Sequence, residues 1–582
     1  MRLATLTSLG FALSTQVALA QNLTVPAALE QRLAAGDTLD VLAIFDAYPD
    51  LSAASARPTK AERGAYVFTA LTQYRQGYRP LLDALDAEEI GYRELWSAGA
   101  LYFPDADRSL LAVLEGFEEG MTIAPADPTK GIDPVERTPE ASSRAAASTT
   151  WGLEYIDAPD VWARGIRGEG VVIGGQDTGY DWDHPALKPS YRGYDAASGT
   201  VDHDYNWYDA VKRQSPLNTD ADNRCGYNTT AACDDGSHGT HTMGTMTGVL
   251  PGDTIGVAPA ARWVGCRNMD RGDGTPQQYL ECFQWFLAPT DTDGEAPRPE
   301  LAPDVIANSW YCPLSEGCDS ATYPAFRRAV GALRAAGVVV VVSGGNDGPG
   351  CNTTNEVPRI IDGVISVAAH DASGRIASFS SRGGEAVETW PSIAAPGVAV
   401  RSAVPPAGFA EFQGTSMAGP HAAGVVALMI SANPSLRGDV DSLEALLLRA
   451  ARPAPADAIG ACASAADAER NAVFGHGYLN AADAVALALG EIPTQTEDAG
   501  FAEALPAAVA ANPISTRLTL TTGPEAIGSQ LLVADAAGRA VALGTVDAER
   551  TEVDSRDWAA GVYTWRITGA AGTAGGRVVK PH

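Results

Sequence analysis

Five consecutive valines, Val338 to Val342, stand between Gly337 and Ser343. A strand of that composition presents apolar side chains on both faces, so both faces must be covered. A parallel sheet held between two layers of helices meets that condition. The chain around the valines has the alternation such a sheet needs. Strand-like runs at 170–175, 262–266, 305–309, 338–342 and 364–368 alternate with helical patterns at about 239–247, 277–286, 323–336 and 415–431. The expected fold of residues 151–490 is therefore α/β, a doubly wound parallel sheet. Functional residues in such sheets lie just past the carboxyl ends of the strands.

The flanks read differently. Met1 and Arg2 precede an apolar run that ends in Ala18-Leu19-Ala20, followed by Gln21. This is a signal peptide cleaved after Ala20, and it implies a secreted protein. No later run is expected to reach the ~18 apolar residues that a membrane span needs. Residues 39–127 run strand (41–45), long helix (59–87), strand (101–103), helix (109–117), strand (121–124), which suggests a small α+β, ferredoxin-like sandwich. Residues 126–150 are rich in Pro, Ala, Ser and Thr without periodicity, a linker open to nicking. A second connection covers 491–511. Residues 512–582 have short strands at 517–521, 530–534 and 562–567, with turns at Ala537-Gly538 and Ala560-Gly561, the pattern of a small all-β sandwich.

The 582 residues carry 71 acidic and 41 basic side chains, a formal charge of −30, which repels nucleic acid. Eight cysteines in an exported chain point to disulfides rather than metal ligands. Eight thiols allow 105 pairings. Short separations favour Cys225 with Cys233 and Cys312 with Cys318, leaving the other four unpaired on sequence alone.

Three motifs carry chemistry. Gly174-Gly-Gln-Asp177-Thr-Gly179 ends a strand expected to be buried, where a carboxylate needs a cationic or hydrogen-bonding partner. Ser237-His238-Gly-Thr-His241 opens a helix. Two histidines three apart suggest metal ligands, but the glutamate and third ligand of a zinc-protease helix are missing. Gly414-Thr-Ser416-Met-Ala-Gly-Pro-His421 runs from a small-residue turn into a helix. Ser416 there faces the positive end of the helix dipole, although a serine in that place is also an ordinary cap.

Taken jointly, Gln176-Asp177-Thr-Gly179, His238-Gly-Thr-His241 and Gly414-Thr-Ser416-Met-Ala resemble the three signatures of the subtilisin family (subtilases), in the family's order Asp, His, Ser. The resemblance implies a serine endopeptidase with Ser416 as nucleophile, His238 as base and Asp177 as the residue that orients it. It also implies that Asn346, in Gly344-Gly345-Asn346-Asp-Gly348, supplies an oxyanion donor. Activity is expected to rise through roughly pH 6 to 8, as a free imidazole of pKa ~6.5 dictates. With bacillopeptidase F-like members the likeness extends to Trp151-Gly-Leu, Asp181-Trp-Asp-His-Pro185 and Gly265-Cys-Arg-Asn-Met-Asp270. Ser309 and Trp310 match the family's substrate-binding strand, but Tyr311 stands where glycine is usual. Gly344 and Gly345 are expected to line the S1 wall and, lacking side chains, to admit a large substrate residue.

By resemblance, residues 21–150 are an inhibitory and folding-assisting propeptide, removed by self-cleavage within 138–150. Asn512-Pro513, Leu518-Thr-Leu520, Asp535-Ala-Ala-Gly-Arg539, Ala560-Gly-Val-Tyr563 and Val578-Val-Lys580 resemble a type IX secretion sorting domain, which implies a secretion-machinery partner. The other expected partners are protein or peptide substrates, and the expected state is a monomer. No cofactor is expected. Asp220, Asp222, Asp234 and Asp235 are oxygen-rich enough for structural calcium. A solvated acidic loop is the preferred reading, and no metal site is assigned. A silent binding protein on the same fold would have lost one of these residues. A ligase would keep them all.

Overall fold

A seven-stranded sheet forms the centre of the molecule, in the order Trp207–Asp209, Arg262–Arg267, Val172–Asp177, Val305–Asn308, Val339–Ser343, Ile365–His370, Ile393–Pro396. Every neighbouring pair is parallel. The valine strand divides by parity, as a pleated strand must. Val339 and Val341 face one core, while Val338, Val340 and Val342 face the other. The first core is closed by the helices Thr415–Ala432 and Ala481–Ala488, with Met243 and Met246 from His238–Thr247. The second is closed by Pro276–Leu287 and Tyr323–Ala335. The five strands and four helices expected from the sequence lie within two residues of their expected bounds, whereas Trp207–Asp209, Ile393–Pro396 and Ala481–Ala488 were not among them. The computed structural model describes residues 22–130, 149–219, 223–312, 318–384, 390–454, 462, 470–491, 507–509, 516–535, 540–559, 561–569 and 572–580. The expectations for the signal peptide, the cleavage segment 138–148, Asp220, Asp222, Asn512-Pro513 and the turn Ala537-Gly538 lie outside the described residues, and that for Ala560-Gly561 does so in part.

The N-terminal unit is α+β. Leu39–Phe45, Arg93–Leu95, Ala100–Ala106 and Met121–Pro125 form an antiparallel sheet in which the first strand lies between the fourth and the third, with helices in the two crossovers. That is the split β-α-β arrangement. Leu23–Thr24 adds a short parallel edge. The long helix expected at 59–87 is in fact two, Lys60–Gly77 and Arg79–Ala87. Gly77 and Pro80 flank the break, and proline disfavours helical geometry in the residue before it. Thr59 and Glu62 form a reciprocal capping box at the start. One face of this sheet packs on its own helices through Val41, Ala43 and Phe45. The other, through Leu42, Ile44 and Tyr102, joins the second core beside Tyr279, Trp285 and Phe326.

At the other end, two antiparallel sheets, Ala507–Val509/Arg517–Thr522/Arg550–Asp554 and Ala540–Thr545/Gln530–Asp535/Gly561–Gly569/Gly572–Lys580, enclose Leu518, Leu520, Leu531, Val533, Trp565 and Ile567. This is the expected β-sandwich. Four disulfides pair Cys225–Cys233, Cys266–Cys282, Cys312–Cys318 and Cys351–Cys462. Both pairs expected from spacing are present. One expectation needs correcting. Thr415–Ala432, an 18-residue helix, is long and apolar enough to cross a membrane, but 89% of it is buried inside this domain. Its apolarity serves the core.

Candidate active site

Asp177 is the last residue of the Val172–Asp177 strand and is buried. His238 is the first residue of the His238–Thr247 helix, and its Nδ1 lies 2.8 and 3.0 Å from the two Asp177 carboxylate oxygens. This contact fixes the ring with its proton on Nδ1, leaving Nε2 as the basic nitrogen. Two features bring helix and strand so close. A side chain at Gly239 would overlap the Gly179 carbonyl and touch Asp177 Cβ at 3.0 Å, so only glycine fits. Asp234 holds the helix start, accepting from the backbone N–H groups of Gly236, Ser237 and Thr240 and from the Thr178 and Thr240 hydroxyls. Asp235 is buried against Arg267 at 2.7 Å. These two carboxylates are thus structural braces and not members of a solvated loop. The packed helix start explains why, since it needs buried acceptors.

Burial opposes charge on His238, but the Asp177 carboxylate, by its field and its hydrogen bond, more than offsets this and raises the pKa above the ordinary imidazole value. The second histidine has another use. His241 Nε2 lies 2.9 and 3.1 Å from the Val400 and Ala410 carbonyls, and its ring stacks on Phe412. Burial pushes its pKa down to about 3, so it stays neutral and pins a hairpin.

Ser416 is the second residue of Thr415–Ala432. Gly414, at φ +149°, turns the chain into the helix. Ser416 Oγ donates to the Ser309 carbonyl at 3.3 Å, and Ser309 Oγ returns a bond to the Ser416 carbonyl at 3.1 Å. Among the described residues Ser416 is thus bonded to Ser309 rather than to His238. Such bonds commonly form only when substrate closes the site. Asn346 follows the valine strand, and its Oδ1 accepts from Thr415 N–H (3.0 Å) and Thr415 Oγ1 (2.9 Å). That fixes the amide, with Nδ2 on the opposite side. A point one bond off Gly414 lies 3.6 Å from Ser416 N and 3.7 Å from Asn346 Nδ2, so the two nitrogens are neighbours beside the serine. The sequence-predicted Asp177, His238, Asn346 and Ser416 are brought together at one end of the sheet.

The substrate-binding expectations fare differently. Ser309 is at the site through its carbonyl. The Trp310 side chain is buried in the second core, stacked on Tyr279 at 3.9 Å, and faces away from the cleft. A side chain at Gly344 would meet the Val367 backbone at 2.7 Å, and one at Gly345 would overlap the Arg359 guanidinium. The space these glycines leave is therefore filled by protein instead of being kept for a large substrate residue. Arg359 was not foreseen. Its guanidinium, fully buried, pairs with Glu356 and with Asp347 at 3.0 Å, and sits 5.9 Å from the centre of the Tyr311 ring. It thus touches both the Tyr311 and the Gly345 sides of the cleft.

A sequence profile described as the Subtilase family matches residues 168–477, which include all four residues just described. The chain belongs to the subtilase family. Subtilases are serine endopeptidases. Bacillopeptidase F of Bacillus subtilis (strain 168) is 38% identical over 350 residues, 59% of this chain and 22% of that protein. Subtilisin DY of Bacillus licheniformis is 32% identical over 299 residues, half of this chain and 88% of that protein. Subtilisin E of Bacillus subtilis (strain 168) is 28% identical over 293 residues, covering 63% of its length. This subtilase thus spans under a quarter of bacillopeptidase F and under two thirds of subtilisin E.

Proposed function

We propose that this subtilase is a secreted, monomeric serine endopeptidase made as an autoprocessed zymogen. The observation that carries the reading is the buried Asp177–His238 pair, at the same end of the sheet as a helix-borne Ser416 whose backbone N lies near Asn346 Nδ2. Ser416 Oγ, turned from the Ser309 carbonyl toward His238 Nε2, loses its proton to that nitrogen and attacks the substrate carbonyl. The resulting oxyanion is held by Ser416 N–H and Asn346 Nδ2, each such donor being worth about 3 to 4 kcal/mol of barrier. His238 then protonates the leaving amine, and water repeats the cycle on the acyl-enzyme. Asp177 keeps the ring in the required tautomer and favours the imidazolium.

Residues 21–150 act as the propeptide in this reading. Its support is the packing of the N-terminal sheet against the helices Pro276–Leu287 and Tyr323–Ala335, and the antiparallel pairing of Thr129–Lys130 with Asp273–Gly274. Asp273–Gly274 forms a hairpin with Met269–Asp270, which follows Asn268, whose N–H donates to the Asp177 carbonyl. The sandwich at 512–582 serves type IX export, resting on its short motifs. The full chain and a Ser416→Ala version test the reading together. The expected result is self-cleavage between 138 and 150, casein hydrolysis and fluorophosphonate labelling for the first alone. Equal processing and labelling of both would refute it.

A further inference from the structure

The end of the sheet opposite the triad holds a second polar site. Asp304 precedes the Val305–Asn308 strand and Ser309 follows it, so the two are separated by roughly 16 Å of strand. Lys60 of the N-terminal unit reaches this end. Its Nζ donates to the Ala302 carbonyl at 2.6 Å and lies 3.4 Å from Asp304 Oδ1. Both side chains are almost wholly buried.

The slot is shaped for an unbranched stem. Gly337 and Gly438, both at φ +85°, form its walls. A Cβ at Gly438 would stand 2.9 Å from Lys60 Cβ, and one at Gly337 would stand 3.3 Å from Lys60 Cγ. A planar guanidinium is wider and needs a forked acceptor, whereas the slot offers one carbonyl and one carboxylate oxygen. Lys60 also opens the Lys60–Gly77 helix, where the dipole disfavours a cation, and the groups that favour its charge lie across the interface. Asp304 does not depend on it. Its Oδ2 accepts from Val172 N–H at 3.0 Å, and Arg437 Nε lies 3.4 Å from Oδ1. With Lys60 withdrawn, the carboxylate keeps a cation and a backbone donor, and Lys60 regains water. Such a contact can open and close without leaving a buried charge uncompensated.

We propose that this slot is an exosite for a primary ammonium, occupied by Lys60, which keeps the N-terminal unit on the catalytic domain after the connecting segment is cut. The inference deepens the reading of residues 21–150 as a masking unit, and places one determinant of unmasking at the opposite end of the sheet from Ser416. The test uses the full chain with Ser416→Ala and a specific-protease sequence substituted within 131–148. After the cut, release of the N-terminal fragment is followed by gel filtration. Lys60→Met, which keeps the stem without the charge, is expected to speed release about 10- to 100-fold. Arg79→Ala, which removes only an exposed pair with Asp83, is expected to leave it unchanged. A second arm needs no substitution at the slot. n-Butylammonium is expected to increase fragment loss from the cut chain, and tetramethylammonium at equal ionic strength is not. Unchanged release from Lys60→Met, or equal effects of the two cations, overturns the proposal. With Ser416 intact, a cut chain that retains the fragment yet hydrolyses casein at the full rate would instead remove the masking reading and leave the slot standing.

Discussion

His238 sits between opposed influences. Burial favours the neutral ring and the Asp177 carboxylate favours the charged one, with the carboxylate prevailing. A base must be neutral to act, so the rise of kcat/KM with pH is expected to have its midpoint above the ~6.5 of a free imidazole, higher than sequence alone suggests. Asp177→Asn removes the carboxylate and leaves the burial, so the residual activity should rise at lower pH, with kcat down by on the order of 10⁴. A pH profile on a chromogenic peptide measures both, and a midpoint at or below 6.5 in the unsubstituted enzyme would contradict the geometry. The candidates Asp177, His238, Asn346 and Ser416 were legible in the sequence through their joint resemblance to the subtilase signatures, since each motif alone also fits a turn, a cap or a structural role. Arg359 was not, since nothing in Glu356-Val-Pro-Arg359 shows that its guanidinium will lie against Gly345 and the Tyr311 ring.

At the scale of elements, the site depends on how closely one helix approaches one strand. Gly239 sets that distance, because a methyl group there would overlap the Gly179 carbonyl. Gly239→Ala is therefore expected to lower kcat about 10²-fold with little change in KM, as the imidazole moves out of line with the serine. It should also lower the unfolding midpoint through overpacking worth about 1 to 3 kcal/mol. Steady-state kinetics and thermal unfolding of the same variant check the two effects, and an unchanged kcat would show the approach to be looser than the structure has it. The strands and helices of the central domain were legible from hydrophobic periodicity. The division of the 59–87 helix was not drawn from sequence, although Gly77 and Pro80 mark it. Periodicity in Leu71, Leu81, Leu82 and Leu85 continues across the break, and so conceals it.

Across the whole molecule, long-range links tie the site to its surroundings. Cys351, five residues past Asn346, is joined to Cys462 across 111 residues of chain. Closing so long a loop is worth roughly 4 to 5 kcal/mol in the chain-entropy account. The Cys351→Ser, Cys462→Ser double variant is expected to unfold at a markedly lower temperature by calorimetry, and a midpoint within a degree of the unsubstituted chain would argue against a stabilising bond. By itself the sequence determined the doubly wound sheet, the disulfides of short span and the subtilase signatures that mark the candidate site, because periodicity, spacing and motif are local properties. Only the tertiary structure decided that Cys266 meets Cys282 and Cys351 meets Cys462, that Asp234 and Asp235 are buried braces, that Arg359 fills the space beside Gly345, and that Lys60 reaches Asp304. Each of these joins residues whose positions along the chain say nothing of their burial or their neighbours, and packing alone brings them into contact.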